Sequence, residues 1–509
     1  MIKRVLAMVL TICVMLFGLV ACGEAEDVKI SESAEGELPT IKLAGGDWGY
    51  PSPFLHYPRG PGGFKMQMIF DSLLERGEDE IIPWLGKDWE ISEDGKVITF
   101  VLEEEVYWHD GEKLDADDVK FSFDYFAEHS PVWNPVKIGG EPFIKEVKAV
   151  DENKVEFHLL EKNATALNVI GGVRIIPKHI WKDVEEPNSF ESEKAVIGSG
   201  PYVLTDYSKE HETYEFTAFE NFWGPKQKVE RVQFVPVSDD VMAFENNDID
   251  VITISSDLKE RYEGKEEIEI VENPGFWGYR MVFNYERIPE FQDLEVRQAF
   301  AYGIDREEIL ERVGRGAGVV GSMGYLPVDH VMYNDNVKKY QYDPDKALKL
   351  LDDKNLELDL VIGDGTQEVR MAELIQLQLE KIGVDITVRS MDMKSRDDAL
   401  RSGDYDILIT GHGGWGSDPD SLRSRMVIDG YYNEEISELG QKQLIEIDPA
   451  KRENIVFELQ ELIAKDVPMI PIFQRRDYTV YRKDDYTGWM HMFDHHNMTH
   501  GKLSYLKWE

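Results

Sequence analysis

The clearest alternation of hydrophobic and polar positions lies between residues 356 and 410. Residues 356–362 (LELDLVI), 384–389 (VDITVR) and 405–410 (YDILIT) have the apolar, β-branched composition of strands. Residues 368–382 carry apolar side chains at helical spacing on one face, and residues 394–401 suit a short helix. The resulting β-α-β-α-β order predicts a parallel sheet with helices packed on its faces.

Other segments begin and end with recognisable capping and turn residues. Asp343 and the proline after it predict the start of a helix, and Asp305 begins a segment with capping-box spacing. Residues 98–102 and 154–159 predict short strands in a region that contains Asp-Gly turns. The region from about 90 to 160 is therefore typical of an α+β arrangement.

The loop after the third strand of the β-α-β-α-β unit is the first candidate for a ligand site. Open parallel sheets bind ligands beside the carboxyl ends of their strands, and residues 411–420 (GHGGWGSDPD) follow such an end. Glycines allow the backbone to approach a ligand closely, Trp415 offers a stacking face, and His412 and Asp418 offer polar contacts. Residues 363–366 (GDGT) should lie on the same rim. The alternative is a structural loop with Trp415 packed in the core.

The N-terminus has the pattern of an export signal. A lysine and an arginine precede an apolar or small-residue run over residues 5–20, which is short for a membrane helix of about 20 residues. The run ends in LVAC, which resembles the lipobox of bacterial and archaeal-type lipoproteins, in which Cys22 would carry the lipid. We expect residues 1–21 to be a signal peptide and the polar, acidic residues 22–38 to be a lipidated flexible tether. The alternative is an ordinary signal peptide with a chance cysteine.

Charge and cysteine content narrow the function classes. The chain has 98 acidic and 56 basic residues, a formal net charge of −42, which is the opposite of the balance in a nucleic-acid-binding protein. An anionic membrane surface would repel this body, so attachment to a membrane would have to come from the lipid. If the leader is cleaved before Cys22, Cys13 leaves with it and no intramolecular disulfide can form. The length predicts two or three domains.

A series of different short motifs lies along nearly the whole chain from residue 81 onward. They are residues 82–85 (IPWL), 89–96 (WEISEDGK), 106–111 (VYWHDG), 114–119 (LDADDV), 176–181 (IPKHIW), 198–202 (GSGPY), 291–299 (FQDLEVRQA) and 301–306 (AYGIDR). In these motifs the chain resembles the extracellular solute-binding proteins of the peptide/nickel class, family 5, which are partners of ATP-driven importers.

This resemblance implies an α/β fold of the periplasmic-binding-protein-like type II class. Two jaws in three lobes would close over the ligand through a hinge. The first lobe would be discontinuous and the other two continuous. The implied boundaries are residues 39–50, 191–283 and 475–509 for lobe I, 51–190 for lobe II and 284–474 for lobe III.

The resemblance also implies the function and the partners. The protein would be a monomer that captures an oligopeptide or a similar small solute outside the cell and delivers it to the permease and ATPase subunits of an ABC importer. It would have no catalytic step, no resident cofactor or metal, and no nucleic-acid partner. A nickel chelate or haem is the alternative ligand. Other classes are a secreted hydrolase on a binding-protein-like scaffold, which only the many carboxylates favour, and a receptor or adhesion lipoprotein without a transporter.

The loop of residues 411–420 departs from the pattern of the peptide-binding members. Those members place an aspartate, which pairs with the α-ammonium of the peptide, a few residues before the Asp-Pro of this loop. Counted back from Asp418, that position falls near Trp415 in this chain. The ammonium would then have to pair with Asp418 or Asp420.

Two aromatic stretches are further candidate ligand contacts. Trp48 and Tyr50 follow the first strand-like segment of the mature chain, and Trp277 and Tyr279 precede the segment that leads into lobe III. Rigid aromatic side chains beside a hinge can stack on a ligand, but they can equally be core residues.

Four histidines lie close together near the C-terminus, at positions 491, 495, 496 and 500. The pairs His491/His495 and His496/His500 would align on a helix, and imidazole suits nickel and zinc. Surface or packing histidines are the alternative, because a metal site needs converging geometry that spacing does not establish. No metal site is assigned to them.

Overall fold

The computed structural model describes most of the chain after the predicted tether. The described residues are 38–56, 61–77, 81–129, 131, 136–138, 140–352, 354–413, 415, 418–490 and 501–507, without the side chains of 61–63. The contacts below all belong to residues 39–509, which group into one unit.

The strands of the described residues are numbered in chain order. They are β1 (Thr40–Gly45), β2 (Leu74–Arg76), β3 (Ile81–Pro83), β4 (Gly86–Ile91), β5 (Val97–Leu102), β6 (Lys137–Ile138), β7 (Glu141–Pro142), β8 (Ile144–Asp151), β9 (Lys154–Leu159), β10 (Tyr202–Ser208), β11 (Thr213–Ala218), β12 (Arg231–Pro236), β13 (Val251–Ile254), β14 (Ile268–Glu272), β15 (Trp277–Phe283), β16 (Gly318–Val320), β17 (Leu356–Gly363), β18 (Val384–Met391), β19 (Ile407–His412), β20 (Met469–Arg475) and β21 (Tyr478–Arg482).

The α-helices are numbered in the same way. They are α1 (Pro61–Ile69), α2 (Ala116–Glu128), α3 (Ala166–Gly171), α4 (Lys178–Trp181), α5 (Asp240–Glu245), α6 (Lys259–Tyr262), α7 (Leu294–Gly303), α8 (Arg306–Arg312), α9 (Pro344–Leu351), α10 (Thr366–Glu380), α11 (Met393–Ser402), α12 (Ser421–Arg425), α13 (Glu434–Leu444) and α14 (Pro449–Asp466).

The predicted β-α-β-α-β unit is confirmed as β17-α10-β18-α11-β19. β17 pairs in parallel with both β18 and β19. α10 packs against β17 and β18 through buried apolar side chains such as Met371, Ile375 and Leu379. The chain turns after this helix at Gly383, whose φ of +82° suits a residue without a Cβ.

The sheet is larger and more mixed than the sequence predicted. Its order is β16-β20-β15-β19-β17-β18, and β15 pairs antiparallel with both β19 and β20. The added strands come from chain segments on either side of the unit, so local periodicity did not reveal them. The parallel prediction therefore holds for three of the six strands.

Helix capping follows the sequence in two helices and departs from it in one detail. The Asp343 carboxylate accepts a hydrogen bond from the Lys346 backbone N–H at 2.9 Å and caps α9. Asp305 caps α8 in the same way, from the Glu308 N–H at 2.9 Å. The reciprocal bond of the predicted capping box is replaced, because the Asp305 N–H donates to the side chain of Gln378 at 3.0 Å.

Two further sheets join segments that are far apart in the chain. β1 pairs in parallel with β12, in a sheet of order β1-β12-β11-β10. β21 lies between β13 and β14. The antiparallel sheet β4-β5-β9-β8 with α2 confirms the α+β arrangement predicted for residues 90–160. The boundaries of the three predicted lobes stay a prediction.

A buried ion network ties the C-terminal segment to the early part of the chain. Lys502 is fully buried, and its ammonium lies 2.6 Å from Asp71 and 2.5 Å from Glu75. Arg174 also pairs with Glu75. Asp71 accepts a further bond from the Trp84 indole at 2.7 Å. Buried charges are stable only when paired and hydrogen-bonded, and these are.

Candidate ligand-binding site

The rim predicted to hold a ligand exists at the carboxyl edge of the six-stranded sheet. Gly363 at the end of β17 is level with Met391 of β18, and β19 ends beside them at His412. The segment after β17 enters α10 at Thr366. The loop after β19 is described at residues 411–413, 415 and 418–420.

The register between β15 and β19 decides which predicted residues lie together. Gly278 pairs with His412, and Tyr279 pairs with Gly411. Because side chains alternate between the two faces of a strand, Trp277 and Tyr279 share one face, and His412 lies on the other. The structure therefore separates the aromatic stretch of β15 from the polar end of β19.

The first face carries an aromatic pair with a cation beside it. The rings of Trp277 and Tyr279 are 4.9 Å apart in an edge-to-face arrangement, and the Arg475 guanidinium is 4.7 Å from the Trp277 ring. The Tyr279 hydroxyl donates to Gln367 at 3.2 Å, and burial raises the pKa of this phenol to about 12. Gly411 makes room for the indole, because a Cβ there would lie 2.6 Å from a Trp277 ring carbon.

The second face carries what we call the arginine–aromatic cluster, which consists of Arg280, Tyr325, His412, Trp415 and Arg425. The rings of Tyr325 and His412 are stacked at 5.3 Å, and Trp415 stands edge-on to Tyr325 at 5.4 Å. The Arg280 guanidinium donates a hydrogen bond to the Tyr325 hydroxyl. Arg425 lies 4.1 Å from the Trp415 ring and donates to the Gly413 carbonyl. The three rings are almost wholly buried.

The electrostatics of the cluster keep His412 uncharged. Burial lowers the pKa of this imidazole well below its usual value, and the nearby charges of Arg280 and Arg425 lower it further. A neutral imidazole has one donor and one acceptor nitrogen. His412 therefore contributes a hydrogen-bonding group rather than a charge.

The acidic residues of the loop are already paired within the protein. The Asp418 carboxylate forms two bonds to Arg452, at 2.9 and 3.0 Å. The Asp420 carboxylate forms two bonds to Arg423, at 2.7 and 2.8 Å. The sequence suggested that Asp418 or Asp420 could pair with the ammonium group of a peptide. Each of these carboxylates already has an arginine as its counter-ion.

The same loop contacts a segment assigned by sequence to another lobe. The Asn168 side-chain amide lies 3.5 Å from an Asp418 oxygen, and the Ala164 N–H donates to the Leu444 carbonyl at 2.7 Å. Asn168 thus meets the loop at the rim of the six-stranded sheet, and Ala164 meets the end of α13.

Trp48 and Tyr50 lie near a group of tyrosines in the sheet that contains β1. The Trp48 backbone N–H donates to the Tyr214 hydroxyl at 2.9 Å. The Tyr50 hydroxyl donates to the Ser192 carbonyl at 3.0 Å, and its ring is 5.6 Å from Tyr207. Both side chains are partly exposed, and their contact with a ligand stays a prediction.

Sequence reasoning missed three members of the arginine–aromatic cluster. Arg280 had a local signal, since it is the one charged residue in the run FWGYRMVF. Tyr325 has an unusual backbone φ of +75°, and no sequence motif marks this residue as part of a site. Arg425 lies in α12, after the candidate loop of residues 411–420. Only the tertiary fold brings the three side chains to His412.

Several predictions fall outside the described residues. Cys22, with its proposed lipid, is one, and the histidines at 491, 495, 496 and 500 are others. Within the described ranges, no group of three His, Cys, Asp or Glu side chains is placed to hold a metal ion. None of the helices in the same ranges is both long and apolar enough to cross a membrane.

Comparison with known proteins gives a consistent result. The model of the family "Bacterial extracellular solute-binding proteins, family 5 Middle" matches residues 80–433. The dipeptide-binding protein of Escherichia coli is 30% identical over 377 residues, covering 68% of this chain and 70% of the relative. Heme-binding protein A of Haemophilus influenzae is 28% identical over 462 residues, covering 80% and 81%. The crystal structure of the ABC transporter substrate-binding protein CtaP from Listeria monocytogenes superposes with a TM-score of 0.78, at 26% identity, and covers 93% of this chain and 100% of that one.

Proposed function

We propose, since this chain belongs to the bacterial extracellular solute-binding proteins of family 5, that it is the substrate-binding component of an ABC importer. It captures an oligopeptide or a similar small solute outside the cell and delivers it to the permease. Members of this family are substrate-binding proteins that act outside the cytoplasm. We accordingly expect no catalytic turnover.

The observation that carries this proposal is the loop after β19. It lies at the carboxyl edge of a mixed sheet, where a ligand is expected, and it touches Asn168. A ligand at this rim would therefore be contacted from two separate segments. Binding would stabilise the closed arrangement of the two jaws, and the transporter would recognise that arrangement.

The predicted site residues have different roles in this proposal. Trp277 and Tyr279 form one contact surface, whereas His412 and Trp415 lie buried on the opposite face, in the arginine–aromatic cluster. Asp418 holds the loop in place through Arg452 rather than binding an ammonium itself. Trp48 and Tyr50 complete the site from the first lobe.

The remaining predictions about the molecule are part of the same proposal. Residues 1–21 are removed as a signal peptide, Cys22 carries the lipid anchor, and residues 22–38 are the tether. The body is a monomer of three lobes with a hinge. The genes that flank this one test the partner assignment, because permease and ATPase subunits encoded there would support import.

A second ligand class has specific support. A haem-binding relative aligns with 80% of the chain, and a di/tripeptide-binding relative aligns with 82%. Haem, or a nickel chelate as the sequence also allowed, is therefore the alternative solute. The importer function is the same in either case.

A thermal-shift experiment on the chain from Gly23 onward tests the proposal. Pools of di- to pentapeptides, nickel with and without histidine, and haem are added separately. A ligand at 100 times its Kd stabilises the folded form by about 2.7 kcal/mol, so a bound ligand raises the Tm. We expect the peptide pools to raise it.

Matched variants locate the site in the same experiment. Trp277→Ala should reduce the shift, whereas Tyr432→Ala, which removes an aromatic side chain that is 76% exposed, should not. A flat response to every ligand, or steady turnover of one of them, would refute the proposal. If only haem or nickel–histidine raises the Tm, that compound rather than a peptide is the ligand.

A further inference from the structure

Arg280 and Arg425 are two cations in the candidate site that have no acidic partner among the described residues. Arg280 donates to the Tyr325 hydroxyl, and Arg425 donates to the Gly413 carbonyl. Among the residues that the structure describes, no carboxylate oxygen lies within 4.0 Å of either guanidinium. The two guanidinium groups are therefore bonded to neutral oxygens, a phenol and a backbone carbonyl, in place of a counter-ion.

This arrangement does not come from a shortage of acids. The chain has 98 acidic residues against 56 basic ones. The neighbouring Arg452 and Arg423 each hold an aspartate of the same loop in a two-bond ion pair. The arginines around the loop thus divide into two that are neutralised and two that are not.

The buried polar atoms of the cluster are short of acceptors. Both ring nitrogens of His412, the indole nitrogen of Trp415 and the Nε of Arg280 and of Arg425 are buried without a hydrogen-bond partner in the described part of the chain. Buried polar atoms are nearly always paired in native proteins, so five unpaired atoms at one place indicate a binding site. Four of them are donors, since the indole and both guanidinium nitrogens only donate and a neutral imidazole donates once.

We propose that the arginine–aromatic cluster binds a carboxylate group of the ligand. An ionised carboxylate is an acceptor only, and the planar guanidinium fork matches its two oxygens. The buried rings of Tyr325, His412 and Trp415, packed against one another, would exclude water around this contact. The inference rests on the proposed function and adds to it that the end of the solute facing this loop is negative.

The carboxylate of a peptide can come from its C-terminus or from an acidic side chain. Three tripeptide pools separate these sources: one with free C-termini, one with C-terminal amides, and one with C-terminal amides and an aspartate or glutamate at each position in turn. Affinities are measured by calorimetry on the chain from Gly23 onward. We expect the first pool to bind at least about tenfold more tightly than the second, because each charge-assisted contact is strong.

Substitutions assign the effect to the two arginines. Arg280→Gln and Arg425→Gln should each weaken binding of the free-acid pool about tenfold and leave the amide pool unchanged. Arg425→Lys should keep part of the affinity, because it keeps the charge and loses the fork. Arg401→Gln, at an exposed ion pair with Asp398, should change neither pool.

The outcomes separate this inference from the proposed function. Equal binding of all three pools refutes the carboxylate contact and leaves peptide capture standing. This comparison uses the unaltered protein, so it does not depend on whether a variant folds. Tighter binding of the acidic amide pool than of the plain amide pool places the carboxylate on a side chain. If no peptide binds, peptide capture fails, and haem is compared with haem dimethyl ester. Weaker binding of the ester then supports the inference, and equal binding or none overturns it.

Discussion

Lys502 is the buried cation that holds the C-terminal segment against the early part of the chain. Its ammonium lies 2.6 Å from Asp71 and 2.5 Å from Glu75, and the side chain has no exposed surface. Lys502→Met keeps the shape of the side chain but leaves two buried carboxylates with only Arg174 as a cation. Removing one partner of a buried pair costs about 3–5 kcal/mol, which is the loss in free energy of unfolding that we expect.

The pKa of Glu75 reflects how strongly Arg174 and Lys502 together stabilise its charged form. Burial alone would raise this pKa, but the charges of Arg174 and Lys502, with their hydrogen bonds, lower it to about 2. At about 1.4 kcal/mol per pKa unit, this corresponds to about 3 kcal/mol. Because the pKa is lower in the folded than in the unfolded state, the contribution is complete above the unfolded-state pKa. It is lost as the pH falls toward 2.

Urea unfolding followed by tryptophan fluorescence measures the effect. Trp84, whose ring is 4.6 Å from the Lys502 ammonium, reports on the site. The deficit of Lys502→Met should be largest near pH 7 and should shrink below about pH 4. In that range Glu75 is protonated in the unfolded chain, while in the folded native protein it stays ionised until the pH approaches 2. Lys483→Met is the control, because its surface ion pair with Glu269, at 3.7 Å, is worth at most about 1 kcal/mol. The reasoning is refuted if the two variants lose the same stability, or if the deficit of Lys502→Met grows as the pH falls.

Three further changes test other parts of the structure. Arg452→Gln should lower the free energy of unfolding by about 1.5–3 kcal/mol, because it breaks both bonds to the Asp418 carboxylate; urea unfolding measures this, and an unchanged midpoint would contradict it. Gly411→Ala should weaken peptide binding about twofold to tenfold by displacing the Trp277 ring, with calorimetry as the assay, and unaltered affinity would remove that ring from the site. Lys65→Met should stabilise the protein at pH 7 by about 1–3 kcal/mol, because burial lowers the pKa of this lysine to about 7. Since the unfolded chain binds more protons between about pH 7 and 10, native stability should rise with pH over that range and the variant should lack the rise, which thermal unfolding across pH can show.

The local pattern of hydrophobic and polar residues was sufficient to predict individual helices and strands, but not how the strands pair in the sheet. The β-α-β-α-β unit appeared from periodicity alone, because residues of β17, β18 and β19 are buried by neighbours within the same stretch of chain. β15 and β20 were not placed in that sheet, because they pair with β19 and with each other across long separations. The Asp305 cap was predictable, whereas the bond from its N–H to Gln378 required the packing of α8 against α10.

The candidate site divides in the same way. The rim and its residues His412 and Trp415 followed from the rule for the carboxyl ends of parallel strands. The alternation between the faces of β15 put Trp277 on the opposite side of the sheet from them, which no loop motif indicated. The sequence suggested that Asp418 is free to contact a ligand. Its pairing with Arg452 depends on the packing of α14 beside the loop, which the sequence does not indicate.

The sequence by itself determined the family, the class of fold, the order of the elements and the rim where a ligand is expected, because these depend on motifs and on periodicity within short stretches of chain. The tertiary structure alone decided which charges are neutralised. Arg452 meets Asp418 across 34 residues, whereas Arg280 meets a phenol, Arg425 meets a backbone carbonyl, and neither meets a carboxylate among the described residues. Coulomb interactions depend on distance in space and on burial, neither of which spacing along the chain contains.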